Sequence, residues 1–195
     1  MSLFRLTKSP ETEPLIRGDG LYLRPAAAGD FSAWAQLRAE SRAFLTPWEP
    51  TWPEDDLTRA AFRRRLRRQV EDMTRDESFA FLIFDAATDA LIGGLTLGGI
   101  RRGVAQAATL GYWMGARHAG RGRMTRAVAA ATRYGFSTLR LHRIEAACLE
   151  ENIASMTLLE RNGFKREGFA RAYLLIDGNW QDHLLFGLVD QDFHA

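Results

Sequence analysis

Between Ala107 and Gly122 the chain reads AATLGYWMGARHAGRG. That succession of an apolar stretch, a glycine-bearing turn and the start of a helix joins a strand directly to a helix. Leu110, Gly111, Tyr112, Trp113 and Met114 form a short apolar run with aromatic residues and flanking glycines, which is the pattern of a buried strand. Gly115 ends it. Arg117-His118-Ala119-Gly120-Arg121-Gly122 then spells R-x-x-G-x-G. Met124, Val128, Ala131 and Gly135 follow at helical spacing in a run that reaches Leu139. Glycines ahead of a helix let the backbone approach an anion closely. The unpaired N–H groups of the helix's first turn, at the positive end of its dipole, point at that anion. A glycine pair before a helix also marks an ordinary tight turn, so the neighbouring segments must decide between the two.

Those segments alternate between strand and helix. Residues 1–14 read as a flexible lead, and residues 15–195 as one domain, a size that buries a substantial core. Leu15-Ile16 and Leu21-Tyr22-Leu23 flank Gly18-Asp19-Gly20 as an opening hairpin. Asp30 is placed to cap a helix carrying Phe31, Trp34, Leu37 and Arg38, which runs to about Phe44 before Pro47 stops it. A proline-stiffened loop with Trp48 and Trp52 follows. Its aromatics either line an acceptor pocket or cap the core beneath them. The segment 56–73 reads as an amphipathic helix with Phe62, Leu66, Val70 and Met73 on one face and Arg63, Arg64, Arg65, Arg67 and Arg68 over the remainder, a contact for RNA or a cofactor phosphate or, as the absence of RNA-binding aromatics favours, a solvated surface.

Phe79–Asp85, Leu91–Ile100 and Ala107–Met114 then form three strands of an antiparallel meander. Past the glycine loop and its helix come a strand at Arg143–Cys148 and a short helix at Asn152–Arg161. A strand joined through a helix to the next strand needs a crossover, so the strands at Tyr112 and Ile144 are expected to be parallel neighbours. Lys165–Ile176 and Gln181–Val189 close the chain around Asp177-Gly178, a strong hairpin signal. The order specifies an α+β fold: a mixed, mostly antiparallel twisted sheet with flanking helices.

No apolar run reaches the length of a membrane span, and the prolines and acids of the first residues are unlike a signal peptide. The chain is expected to be cytoplasmic, with no membrane association and no direct nucleic-acid binding. One cysteine, Cys148, and four scattered histidines leave no metal-ligand spacing, so no metal is expected. The sole lysines are Lys8 and Lys165 in a chain of net charge +2; the arginine bias suits phosphates and carboxylates, and equally follows from genomic base composition.

Three motifs in order, GYWMGARHAGRGRMTRAV, LHRIEAACLEENIASMTLLERNGFKREG and GNWQDHLLFGLV, resemble the GNAT acyl-CoA N-acyltransferases over roughly residues 15–189. Within that superfamily they look like the RimJ/RimL branch, whose members acetylate N-terminal residues of ribosomal proteins. The resemblance implies that the two parallel central strands splay apart to admit the pantetheine arm of acetyl-CoA. It implies a pyrophosphate on Ala119, Gly120, Arg121, Gly122, Arg123 and Met124, with the backbones of Trp113 and Met114 pairing with the pantetheine amides. Asn152 matches an asparagine facing that arm, compatibly with a helix N-cap. Arg121 and Arg123 either add charge near the phosphates or face solvent.

For chemistry, the resemblance makes the backbone N–H near Met114 the donor to the developing oxyanion. Glu145, on the strand beside the cofactor, is the candidate general base, with a salt bridge as its other reading. A tyrosine acid common among relatives is replaced by Leu159. Ser155 matches a serine that relays a proton to the thiolate in this branch; a helix serine bonded back to a carbonyl is the other reading. Trp48 and Tyr112 are the candidate acceptor-binding residues. The acceptor is expected to be a protein N-terminus such as that of a ribosomal protein, with a small amine (polyamine, amino acid or antibiotic) or a non-catalytic acyl-CoA-binding module as alternatives. A monomer and a homodimer are equally compatible with the sequence.

Overall fold

The computed structural model describes residues 16–193, and the lead expected over residues 1–14 lies outside them. The strands are Ile16–Gly18 (β1), Leu21–Arg24 (β2), Phe79–Asp85 (β3), Leu91–Arg101 (β4), Ala107–Met114 (β5), Arg143–Cys148 (β6), Lys165–Ile176 (β7) and Asn179–Val189 (β8). The helices are Phe31–Glu40 (α1), Arg42–Leu45 (α2), Arg59–Thr74 (α3), Arg123–Ser137 (α4) and Ile153–Arg161 (α5). One sheet holds all eight strands in the order β1-β2-β3-β4-β5-β6-β8-β7, antiparallel except at β5–β6.

The two faces of the sheet bury different partners, because successive side chains of a strand point to opposite sides. Leu95, Leu97, Ala108, Leu110, Ile144, Ala146, Leu184, Phe186 and Leu188 face α4 and α5, which contribute Ala127, Val128, Ala131 and Leu159. On the opposite face Leu82, Phe84 and Leu91 bury Trp34 and Leu37 of α1 and Phe62 of α3. The turn between β7 and β8 places Asp177 at φ +44° and Gly178 at φ +78°, the double left-handed geometry that a two-residue Asp-Gly hairpin requires.

The observed elements depart from the sequence expectations in four places. The helix expected to continue to Phe44 breaks at Ser41, whose hydroxyl accepts from the Ala116 N–H at 3.0 Å and so ties the break to the end of β5; Pro47 lies inside a following 3₁₀ turn. Asp30 stands at the start of α1 without capping it, because its carboxylate is engaged by both Arg24 guanidinium nitrogens (2.8 and 2.7 Å) and by the Ala27 N–H (2.7 Å). The helix expected from residue 56 starts at Arg59, where the Thr58 hydroxyl accepts from the Ala61 N–H at 3.1 Å. Val70, expected on the buried face of α3, is 66 % exposed, whereas Phe62 is buried and Leu66 and Met73 are partly buried against the core. The arginines of α3 are partly engaged within the protein: Arg64 and Arg65 bridge Asp55 and Asp56, and Arg65 also lies over the Trp34 ring.

Candidate active site

The parallel ladder between β5 and β6 holds for three residue pairs, Ala107–Arg143, Ala108–Ile144 and Thr109–Glu145, and then stops. Beyond Thr109 the strand β5 stays paired with β4 as far as Met114, so a gap opens on its β6 side. The alternation of backbone groups along a strand decides which residues face that gap. Gly115 donates to Ile92 of β4, whereas the Gln106 carbonyl accepts from the β6 side. Odd-numbered residues of β5 therefore turn their N–H and C=O to β4, and even-numbered ones turn theirs to the gap. Tyr112 and Met114 offer main-chain groups there. Trp113, expected to share that role, does not: it pairs with Gly94, and its carbonyl lies 2.5 Å from where a side-chain carbon on Gly93 would stand.

A cavity of about 640 Å³ occupies the gap and its mouth. Trp48, Tyr112, Trp113, Met114, Asn152 and Ser155 line it, as do Ala119, Gly120, Gly122, Arg123 and Met124 of the glycine loop. Gly120 (φ +73°) and Gly122 (φ +68°) both adopt the left-handed conformation, and a Cβ on either would project into open space. A loop of that shape at the first turn of α4 leaves a cradle bounded by backbone N–H groups, which fits a phosphate. The 15 residues of α4 give it a full dipole behind that cradle.

On the opposite wall the side chain of Asn152 caps α5, accepting from the Ser155 N–H at 3.0 Å. This fixes the first turn of α5 and aims the Ser155 hydroxyl across the gap. Its partner there is Tyr112 Oη, 2.7 Å away, and not a carbonyl of its own helix. Burial pushes the Tyr112 phenol up to about 12, against the lowering effect of the Ser155 hydrogen bond. The phenol is therefore protonated throughout the physiological range. Burial likewise raises the neighbouring Cys148 thiol, which keeps it uncharged. Leu159, standing where relatives carry a tyrosine acid, is wholly buried in the core.

Glu145 does not reach this cavity. It belongs to the last residue pair of the β5–β6 ladder, where the strands are still closed, and its carboxylate is taken by Arg101 and by Arg143 Nε at 2.9 Å. Arg143 in turn holds Glu167. The candidate base is a member of a surface ion-pair network and does not line the cavity. Arg121 is exposed and lies off the cavity lining. Arg123 lines the cavity but is anchored by Asp85 Oδ2 at 2.7 Å, which makes it a fixed charge at the foot of the loop and not a solvent-facing one.

Two lining residues carry no signal strong enough to single them out in the sequence. His118, within the R-x-x-G-x-G run, has Nδ1 3.1 Å from Arg123 and Nε2 3.1 Å from Arg117. Glu49, on the tryptophan loop, is gripped by both terminal nitrogens of the buried Arg38 (2.7 Å each) and by Trp52 Nε1 (2.7 Å). The Arg38 guanidinium is itself sandwiched over the Trp52 and Trp113 rings. The Glu49 carbonyl accepts from the Asp177 N–H at 3.0 Å, so the β7–β8 turn is tied to the same loop. Among the described residues there is no cluster that could hold a metal ion, and no helix is long and apolar enough to cross a membrane.

Residues 20–165 match the family model of the acetyltransferase (GNAT) domain. The chain is 36% identical over 178 residues to the probable N-acetyltransferase YjcK of Bacillus subtilis, covering 91% of this chain and 98% of that one. It is 39% identical over 166 residues to the [ribosomal protein uS5]-alanine N-acetyltransferase of Escherichia coli, covering 84% and 86% of the two chains. The solved structure of Mycobacterium smegmatis RimJ in complex with CoA-disulfide superposes with a TM-score of 0.87 at 29% identity, covering 95% of this chain and 90% of that one.

Proposed function

The chain belongs to the GNAT acetyltransferase family, and from that premise we propose that this acetyl-CoA-dependent N-acetyltransferase modifies the N-terminal α-amine of a ribosomal protein in the cytoplasm, with residues 15–195 acting as its one catalytic domain. The observation that carries the reading is the meeting, in one cavity, of the glycine cradle, the exposed backbone edge of Tyr112 and Met114, and the Tyr112–Ser155 hydroxyl pair. The likeness to the uS5-alanine enzyme supports the acceptor class.

Each element has one task in acetyl transfer. Gly120, Gly122 and the first N–H groups of α4 hold the cofactor's phosphates, and Asn152 holds the opposite wall in place. The backbone of Tyr112 and Met114 binds the pantetheine edge, and the Met114 N–H is the preorganised donor to the thioester oxygen as it gains charge. The acceptor amine enters along the wall formed by Phe44, Trp48 and Glu49. An N-terminal amine with pKa near ~8 is about a fifth neutral at pH 7.4, whereas a lysine near ~10.4 is neutral in about one part in a thousand. The site can thus use an α-amine without a strong base, consistent with Glu145 lying elsewhere. As the amine nitrogen bonds to the acetyl carbon and the carbon–sulfur bond breaks, the Ser155–Tyr112 pair donates a hydrogen bond to the departing sulfur, and the amine's surplus proton leaves to water.

Thiol release measured with a panel of acceptors tests the reading. The panel holds a peptide carrying the N-terminal residues of uS5 with a free alanine amine, its N-acetylated counterpart, a polyamine and a free amino acid. Turnover of the free-amine peptide with silence from its acetylated counterpart is expected. Selective turnover of the polyamine or the amino acid would overturn the protein acceptor and leave the acetyl transfer standing.

A further inference from the structure

His118 sits at the end of the 3₁₀ turn Ala116–His118, on the cavity wall beside the glycine loop. Its two ring nitrogens face two guanidinium groups: Arg117 Nε lies 3.1 Å from Nε2 and Arg123 Nη1 lies 3.1 Å from Nδ1. Both partners are donors only, since a guanidinium accepts no hydrogen bond. A neutral imidazole has one acceptor nitrogen and one N–H, so in either tautomer the N–H confronts a guanidinium N–H. A protonated imidazole would confront both. Arg123 is held in place by Asp85 at 2.7 Å, and the more exposed Arg117 is paired with Glu40 at 3.1 Å. The cluster is short of one acceptor.

We propose that this missing acceptor is the cofactor pyrophosphate, and that His118 binds it by taking up a proton, neutral in the free protein and imidazolium in the complex. The proposal rests on the acetyl-CoA reading of the cavity. A phosphate oxygen placed among His118, Arg117 and Arg123 accepts from all three, and its negative charge removes the repulsion that keeps the proton away. The charged groups around the ring are Arg117 on its own turn, Arg121 on the loop, Arg123 at the head of α4, Asp85 at the end of β3, and Glu40 of α1 behind Arg117. In the free protein, burial and then Arg117, Arg123 and Arg121 hold the imidazole below its ordinary value, with Asp85 opposing them. Burial and the three cations outweigh Asp85 until the phosphates arrive.

Linkage gives the sign of the effect. A group whose pKa is low in the free protein and raised in the complex makes binding stronger at low pH, and the benefit is lost as pH rises through the value in the complex. The dissociation constant of CoA should therefore increase with pH, by up to about tenfold per pH unit, between the lowered value of the free protein and the raised value of the complex. The 3′-phosphate of CoA acts in the opposite sense and at lower pH, because a phosphate monoester loses its second proton near ~6.

Calorimetric titration of CoA into the full chain between pH 6.5 and 8.5, in two buffers of different ionisation enthalpy, counts the protons directly. The wild type should take up a substantial fraction of one proton per CoA near neutral pH. His118→Gln keeps one donor and cannot titrate, so it should bind roughly tenfold more weakly at pH 7, with no uptake and a flat affinity profile. Dephospho-CoA, which retains the pyrophosphate, should preserve the uptake in the wild type. Equal proton counts in the two proteins, no uptake in a wild type that binds CoA, or uptake lost with dephospho-CoA would each overturn the role of His118 while leaving the acetyl-CoA reading intact. Failure of the folded wild type to bind CoA at all would refute both.

Discussion

Tyr112 Oη and Ser155 Oγ stand 2.7 Å apart, joining β5 to the first turn of α5 across the mouth of the strand gap. The pair supplies hydroxyl protons where Leu159 supplies none. Its acidity limits what it can do. Moving a proton outright from a phenol at about 12 to a thiolate whose conjugate acid lies near ~8.5 is uphill by about 5 kcal/mol. The pair therefore acts as a hydrogen-bond donor to the sulfur and a path for protons from water, and Tyr112 does not end the reaction ionised.

Tyr112→Phe and Ser155→Ala should each lower kcat by about a hundredfold to a thousandfold, the range for loss of one preorganised donor. Acetyl-CoA affinity should stay near wild type, because the lost bond strengthens as the sulfur gains charge. The double variant should lose little more than either single one, since each hydroxyl acts through the other. Rate losses that multiply fully in the double variant would show that the two hydroxyls work independently.

Glu145→Gln should leave the pH profile of kcat/KM unchanged in shape and within about twofold in height. The carboxylate is bound to Arg101 and Arg143 below the point where β5 and β6 part. Exposed pairs of this type contribute up to about 1 kcal/mol, so a small loss of thermal stability is the main effect expected. A rate defect that is deep at low pH and disappears at high pH would restore Glu145 as the base.

The contrast between these two sites marks what the sequence discloses and what it conceals. The strand–glycine–helix succession at Ala107–Gly122, the meander before it and the Asp177-Gly178 hairpin are local, each decided by side-chain periodicity and turn chemistry over a few residues, and all three appear in the fold. The parallel pairing of β5 with β6 follows from the crossover through α4. How far that pairing runs depends on packing between elements distant in sequence, and no periodicity encodes it. Glu145 looks adjacent to the cofactor on a one-dimensional reading, yet the gap opens beyond its partner Thr109. The same holds for Trp113, whose backbone faces β4 because of strand alternation relative to Gly115. Glu49 and His118 are set by contacts from Arg38 and Arg123, neither of which advertises its partner in the sequence.

Acid should weaken the fold through Asp30 among other carboxylates. Burial works against its charge, but the Arg24 hydrogen bonds, the Ala27 N–H and the Arg24 charge together hold its carboxyl below the usual range. A value lower in the folded than in the unfolded chain means stability present above about pH 4 and lost as pH falls through the folded value. Asp30→Asn should cost about 1.5–3 kcal/mol at pH 7, the worth of a hydrogen bond to a charged group. In denaturant titrations the gap between variant and wild type should narrow from pH 5 to pH 3. A gap independent of pH would mean that the side chain stabilises by shape and not by charge.

The glycine cradle makes the most direct demand on a single residue. Gly122 occupies φ +68° at the head of α4, and nothing stands within 4 Å of where its Cβ would be. Space for a side chain is therefore available in the free protein, and the left-handed angle costs a residue with a Cβ roughly 1–2 kcal/mol, more for a β-branched one. Gly122→Val should accordingly fold with its thermal midpoint lowered by several degrees, as expected for a loss of that size in a chain of this length. The branched side chain would fill the volume the phosphates need, and any relaxation of φ would swing the first N–H groups of α4 off their target. Acetyl-CoA affinity should fall well beyond tenfold, while Gly122→Ala, smaller and less strained, should lie between the two. Calorimetric titration of the three folded proteins orders them, and a valine variant that binds acetyl-CoA like the wild type would show that the phosphates rest elsewhere.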